Sequence, residues 1–286
     1  MPKHLWAGET RLKDRINPFI LRRLKENVAQ FLPKKIVISQ KVELTSRQAT
    51  LYKNVIESTQ CKQMLDEVEK NGVKRAQPQI LAAFTKLRTI CNHPLLTVKD
   101  AVLSNAEVEH SGKLGLLQEL MEEVVEGEHR TLLFCQSTQM LDIIQHWFAR
   151  WSIRCLRLDG STPPASRAEL VDEFNNNHEH HAFLISTKAG GTGLNLTGAD
   201  TVIFYDHDWN PANDNQAQDR AHRIGQTKPV TVYRLISQGT IEEKILERQV
   251  VKQTLADQIV GADEEGFKEL TKEELISLFT LDELDD

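Results

Sequence analysis

The residues best suited to phosphate chemistry lie in one segment, Gln216-Ala217-Gln218-Asp219-Arg220-Ala221-His222-Arg223-Ile224-Gly225-Gln226. A guanidinium is planar, carries its donors in a fixed fork and keeps its charge at any cellular pH, so Arg220 and Arg223 fit a transferring phosphoryl group. If the segment is helical, Gln216, Arg220 and Arg223 stand at i, i+4 and i+7 and share one face. Ala217, Ala221 and Ile224 then form an apolar stripe beside them. The same pattern also fits a surface helix in which Asp219 pairs with either arginine.

Two further segments carry residue types that could bind a polyanion. In Ser186-Thr187-Lys188-Ala189-Gly190-Gly191-Thr192-Gly193-Leu194-Asn195, glycines let backbone amides approach an anion and Lys188 adds charge. Without a Lys-Ser or Lys-Thr after its glycines, it is not the GxxxxGK[ST] loop, and a plain tight turn remains an alternative. In Asp206-His207-Asp208-Trp209-Asn210-Pro211, Trp209 either packs under its loop or meets a nucleic-acid backbone or groove. His178, His180 and His181 lie among Asn175, Asn176 and Asn177, which reads as a solvated loop and not as a metal site.

Positioning these groups requires regular elements. From about Ser111, short apolar runs at Thr131–Cys135, Arg154–Leu158, Ala182–Ser186, Thr201–Tyr205 and Val230–Ile236 read as strands. They alternate with helical patterns at Lys113–Val125, Met140–Trp151, Ala165–Phe174, Asn213–Ile224 and Ile241–Ile259. That order predicts an α/β fold, a parallel sheet flanked by helices on both faces, of the RecA-like kind. In such a sheet ligands gather outside the carboxyl ends of the strands. The first hundred residues read as helical: apolar spacing in Ile16, Phe19, Ile20 and Leu24, a second helix capped by Thr45 or Ser46, and a third opening near Pro78 and stopping before Pro94.

Composition narrows the class. The 286 residues are 40% apolar and 27% charged, which is ordinary globular material. No apolar run approaches the roughly 20 residues of a membrane span, and the start lacks a signal-like apolar stretch, so an intracellular protein without membrane contact is expected. Four scattered cysteines without a Cys-x-x-Cys pair suit reduced thiols; no zinc site or other metal site is expected. The net charge of −6 hides an asymmetry: residues 262–286 sum to −8, while residues 1–41 hold ten basic and three acidic side chains. The acidic end reads as a solvated tail, with folding over the basic surface as the alternative.

Taken together, several segments resemble the SWI/SNF family of helicase-like ATPases. They are Asn17-Pro18-Phe19-Ile20-Leu21-Arg22-Arg23, Leu32-Pro33-Lys34-Lys35, Leu87-Arg88-Thr89-Ile90-Cys91-Asn92-His93-Pro94, Leu156-Arg157-Leu158-Asp159-Gly160-Ser161, the glycine-rich turn, the Trp209 loop and residues 216–226. The ending Arg223-Ile224-Gly225-Gln226 looks like this family and not the RNA motors, which end that motif Arg-Ile-Gly-Arg. The resemblance implies a two-lobed parent that binds ATP with Mg2+ between RecA-like lobes. No phosphate-binding loop or acidic metal box occurs in the 286 residues: the one Gly-Lys, Gly112-Lys113, is followed by Leu114.

The chain therefore resembles the second lobe, inactive without the missing N-terminal ATPase lobe and holding no nucleotide by itself. Carried over by resemblance, Gln216, Arg220 and Arg223 serve catalysis, and Gly191, Gly193 and both arginines face the nucleotide. Ser137, Gly160, Ser161, Thr187, Lys188, Asn195 and Trp209 contact double-stranded DNA without reading its sequence. The implied layout is a helical linking and protrusion segment over 1–109, the lobe over 110–240, a brace helix over 241–261 and the acidic tail over 262–286. A monomer is expected, and a loose match of residues 270–281 to prokaryotic members favours a prokaryotic cytoplasm over a eukaryotic nucleus. The competing function is a DNA-binding or protein-interaction module that keeps the fold but no motor role.

Overall fold

Short apolar runs with no polar face have one stable place, between layers. The computed structural model describes residues 32–98, 102–103, 107–190, 193–208, 211–247 and 271–280, and all but Leu32 of these belong to one compact unit. Six strands form a single sheet: β1 (Lys35–Val42), β2 (Thr131–Cys135), β3 (Cys155–Leu158), β4 (Ala182–Ser186), β5 (Thr201–Phe204) and β6 (Val230–Ser237), in the order β1-β6-β5-β2-β4-β3. Every neighbouring pair is parallel. Strands β2, β4 and β5 are buried along their whole length.

Side chains alternate between the two faces. Leu133 lies opposite Leu184 and Ile203, and this row packs with Leu117, Met121, Leu141 and Phe148. These come from α4 (Gly112–Glu126) and α5 (Thr138–Arg150), which follow the helical subdomain described below. The other row, Leu132, Phe134, Phe183, Val202 and Phe204, packs with Phe174 and Ala217, from α6 (Pro164–Asn176) and α8 (Pro211–Gln218). A short helix, α7 (Thr187–Gly190), follows β4. Each such buried side chain contributes about 1.5–3 kcal/mol.

Strand β1 departs from the sequence expectation, which placed five strands and read residues 1–109 as helical. It pairs with β6 over all eight positions, yet most of its side chains are exposed, including Ile36 and Val37. Its bonds come from the backbone of a neighbour nearly 200 residues away, which a local apolar pattern does not report. The sheet therefore draws on both sides of the expected boundary at 110.

The helical subdomain comprises α1 (Ser46–Ile56), α2 (Thr59–Asn71) and α3 (Val73–Asn92). Thr45 caps α1 in a reciprocal box with Gln48, as the sequence suggests. Helix α3 opens five residues before Pro78 and carries that proline inside. Burial of Ala76, Ile80, Phe84 and Leu87 outweighs the hydrogen bond that Pro78 cannot make.

Two later segments complete this core: α9 (residues 241–247), the described start of the expected brace, and α10 (Lys272–Leu278). Leu275, Leu278 and Phe279 are buried with Tyr52, Met64, Val68, Ile241 and Ile245. Lys272 Nζ donates to Glu69 O (3.1 Å), and Lys244 Nζ donates to Ser277 O and Thr280 O (3.2 and 2.7 Å). Residues 271–280 are thus part of the core, which corrects the reading of 262–286 as a solvated tail. The acidic count concealed a short amphipathic helix with its own capping box, Thr271 with Glu274.

The four cysteines are free thiols, and burial pushes Cys91 up to about 12 and Cys155 up to about 11. Among the described residues no helix is long and apolar enough to cross a membrane.

One buried polar cluster joins subdomain, sheet and brace. Lys113 Nζ, on a side chain with no solvent exposure, donates to Glu242 Oε1 (2.6 Å), Tyr205 O (3.0 Å) and Asn92 Oδ1 (3.3 Å). Gly112 is required beside it, because a Cβ there would lie 2.2 Å from the carbonyl oxygen of Glu43.

Substitutions at these positions should show in stability. Lys113→Met leaves Glu242 buried and unpaired, and should cost about 3–5 kcal/mol in a denaturant titration. The double variant Lys113→Met, Glu242→Leu should recover most of that cost. Phe279→Ala should cost about 3–5 kcal/mol; an unchanged unfolding midpoint would show that α10 does not support the helical core.

Candidate functional site

Because all six strands run parallel, the segments after β2, β3, β4 and β5 emerge on one edge of the sheet. After β2, Ser137 caps α5, its Oγ accepting from Met140 N (3.2 Å). After β3, the buried carboxylate of Asp159 accepts from Ser161 N (2.9 Å), Ser161 Oγ (2.6 Å) and Arg157 Nε (2.8 Å). The Ser161 hydroxyl bond leads the contributions that hold this carboxyl below the usual carboxylate range; the second Ser161 bond and Arg157 add to it, and burial opposes them. The turn's stabilisation is therefore fully present at neutral pH and disappears only as pH falls through that lowered pKa.

Gly160 is exposed with open space around it, whereas both donors of Ser161 point inward at Asp159. In this conformation Ser161 offers a phosphate only lone pairs. After β4, Lys188 is exposed and the Thr187 hydroxyl is buried without a hydrogen-bond partner. Gly193 is exposed with φ +68°. Gly191 and Trp209 lie outside the described residues.

The arginine segment lies elsewhere. Helix α8 stops at Gln218 after eight residues, about 12 Å of rise, and carries the chain away from the carboxyl edge. Arg220 and Arg223 follow in tighter turns, with Arg220 N bonded to Ala217 O (3.1 Å) and Gln226 N to Arg223 O (2.9 Å). The expectation of one helical face shared by Gln216, Arg220 and Arg223 is therefore corrected. The stripe also breaks: Ala217 and Ala221 are buried but Ile224 is 75% exposed.

The cause is tertiary. Arg220 O accepts from Leu196 N (3.1 Å) and Ala221 O from Gln226 Nε2 (3.2 Å), which takes the carbonyls that a continuing helix would need. Three contacts fix the place of the turn. Gln226 Nε2 donates to Ala199 O just before β5 (2.7 Å), Val230 N to Lys34 O (3.0 Å), and His222 Nε2 to Pro33 O just before β1 (2.8 Å). The arginine turn thus sits at the amino edge. Asn195 is on that side too, its carbonyl accepting from Asn175 Nδ2 near the end of α6 (2.8 Å).

Gln216, still in α8, and Arg223 in the turn are exposed, while Arg220 is only 8% exposed. Burial lowers the Arg220 pKa, and neighbouring Arg223 adds to the effect while Asp219 opposes it. Two guanidiniums held close together, one anchored and one exposed, suit a polyanion brought from outside. The histidine group has local roles: His180 Nε2 meets Glu173 Oε1 (2.9 Å) and His181 Nδ1 accepts from Arg154 N (3.2 Å).

Several supporting residues carried no role in the sequence reading. Gln226 is 7% exposed, its Nε2 shared among Thr197 O, Ala199 O and Ala221 O and its Oε1 accepting from Thr227 N and Lys228 N (both 2.9 Å). It serves as a clamp on the arginine turn. Gln136, Asp206, Arg88 and Asn92 form a second polar network at the carboxyl edge. A polar side chain at the end of an otherwise apolar run was the available signal for Asn92 and Asp206. Gln226→Ala leaves buried carbonyls without their donor and should cost about 1–3 kcal/mol. A denaturation midpoint equal to wild type would remove the clamp role.

The chain matches known families and solved structures over most of its length. The helicase conserved C-terminal domain matches residues 112–225 and the SNF2-related domain matches residues 6–96. Among curated proteins the chain is 38% identical over 311 residues to TATA-binding protein-associated factor 172 of Homo sapiens, covering 95% of this chain and 17% of that protein. It is 40% identical over 277 residues to DNA excision repair protein CSB of Oryza sativa subsp. japonica, covering 96% and 22%. The chain thus spans about a fifth of the length of these relatives.

Among solved structures, the Sulfolobus solfataricus SWI2/SNF2 ATPase C-terminal domain aligns with a TM-score of 0.69 at 29% identity, covering 87% of this chain and all of that one. The Sulfolobus solfataricus SWI2/SNF2 ATPase core in complex with dsDNA aligns at 0.71 and 32%, covering 96% and 57%. With its sheet order and these matches, the chain belongs to the SWI2/SNF2 family of helicase-like ATPases, as a C-terminal lobe.

Proposed function

We propose that this lobe completes an ATP-driven motor that tracks double-stranded DNA without sequence preference, the parent acting as a translocase or remodeller of protein–DNA complexes. The observation that carries the reading is the separation of an exposed lysine and an arginine pair to opposite edges of one parallel sheet. The exposed Lys188 stands with Ser137, Gly160 and Thr187 at the carboxyl edge, and Arg220 and Arg223 stand at the amino edge. Backbone tracking needs the first, since phosphate contacts position a duplex without reading it. Phosphoryl transfer needs the second, since arginines stabilise charge developing on the transferring group.

Nucleotide enters as ATP with Mg2+, held by the first lobe. The residues here fit its terminal phosphates: Arg223 is exposed and Gly193 faces open space. Among the described residues no group of three or more His, Cys, Asp or Glu side chains is placed to hold a metal ion; in the proposed motor Mg2+ would arrive with the nucleotide on the first lobe. ATP bound there supplies the phosphoryl group; Arg220 and Arg223 bind and orient it across the cleft. The lobe acts as a monomer on DNA inside the cell. The curated relatives named above are eukaryotic proteins and lend no support to the prokaryotic preference drawn from residues 270–281.

Duplex binding by the chain should weaken with salt on a log–log slope of about −0.9 per phosphate neutralised, and Lys188→Ala should reduce that slope by about one. The chain alone should show negligible ATPase, with DNA-stimulated turnover appearing when a first lobe is supplied. Arg223→Ala should then lower turnover by about 10³–10⁵. Turnover that survives this substitution would overturn the catalytic assignment, and an absence of duplex affinity would favour an interaction module.

A further inference from the structure

We infer that Gln136, held by Arg88, is a positioning residue that locks the loop after β2 to the segment after β5, so that the two present one surface to the duplex. The inference rests on the DNA-binding reading of the carboxyl edge.

Gln136 uses every polar atom it directs inward to join these segments. Its backbone N donates to Asp206 Oδ1 (2.7 Å), its Nε2 donates to His207 O (2.8 Å), and its Oε1 accepts from Arg88 Nη2 (2.6 Å). Asp206, 1% exposed, also accepts from Asn92 Nδ2 (2.9 Å), and Arg88 Nη2 lies 3.9 Å from it. Arg88 and Asn92 stand one helical turn apart on α3, so one helix of the subdomain holds both segments through two side chains. The far side is pinned independently: His207 Nδ1 meets Asp214 Oδ2 (3.3 Å), its Nε2 donates to Leu235 O (3.1 Å), and Asp208 N donates to Asp214 Oδ1 (3.3 Å).

The chemistry of the link explains why it governs position more than stability. Gln136 is only half-buried and lies outside the apolar clusters, while β2 and β5 are already paired through Phe134 and Phe204. Removing the amide leaves the strands, the Ser137 cap on α5 and the Asp206 bond to the Gln136 backbone in place. What disappears is the direct tie from Arg88 through Gln136 to the His207 carbonyl, which sets the distance between Ser137 and the residues that follow Asp206. Arg88 and Asn92 reach the two segments from successive turns of α3, so one helix face holds both.

The test uses the whole chain. Gln136→Leu should weaken binding to a short DNA duplex by about tenfold at moderate salt and lower the salt slope by about one, the change expected when one fewer phosphate is neutralised. The thermal midpoint should stay at the wild-type value, and amide exchange over residues 206–208 should quicken. Gln136→Glu keeps the acceptor for Arg88 but cannot donate to His207 O, so it should show the faster exchange as well. Wild-type exchange and affinity in both variants, or a weakened affinity that appears only with a lowered midpoint, would overturn the inference. Should wild type and Lys188→Ala both fail to bind duplex, the DNA reading falls and the exchange rates alone decide: quickened exchange supports the link, unchanged exchange refutes it.

Discussion

A buried ammonium sets the terms for the rest of this structure. Lys113 has no exposed side-chain surface, and a charge placed there is tolerable only with a full set of oxygen partners. It finds them on three separate parts of the chain: the end of α3 through Asn92, the end of β5 through Tyr205, and the start of α9 through Glu242. Glu242 in turn accepts from Ser237 N at the end of β6 (3.0 Å). The helical subdomain, the sheet and the brace therefore meet at one charge that no single element can satisfy.

That junction lies just behind the carboxyl edge. Asn92 faces Lys113 with its oxygen and Asp206 with its nitrogen, so the structural cluster continues without a break into the network that holds the segments after β2 and β5. Polar networks in a low-dielectric interior stabilise a fold only when every member is satisfied. Here satisfaction requires α3, α4, β5 and α9 to be in place together. A subdomain that reads as a helical linking and protrusion segment in the sequence is thereby bound to the geometry of the sheet's carboxyl edge.

The polarity of the sheet accounts for the division of labour. Parallel strands send their carboxyl ends to one edge, and the helices that follow return the chain to the other. Helix α8 makes that return between Asp206 and Arg220, so two motifs only a dozen residues apart end on opposite edges. One layer thus carries the exposed Lys188 near one edge and the arginine turn at the other.

The sequence by itself determined the α/β class, the five strands with apolar runs, most helix boundaries to within two residues, and the types of group at each loop. These follow from local periodicity and from the short list of residues that suit phosphate. Tertiary structure alone decided four matters. Strand β1 exists because β6 offers it a backbone partner; its own side chains are mostly exposed. The expected helix does not run on to Ile224 because Leu196, 24 residues earlier, captures the carbonyl of Arg220 that the Ile224 amide would need. Residues 271–280 fold because Leu275, Leu278 and Phe279 meet an apolar core built from the other end of the chain. Lys113, in a Gly-Lys that invites comparison with a phosphate loop, is a structural cation because Glu242, 129 residues later, returns beside it. In each case the deciding partner is distant in sequence, and no local pattern can report a bond whose other half lies on an element folded against it.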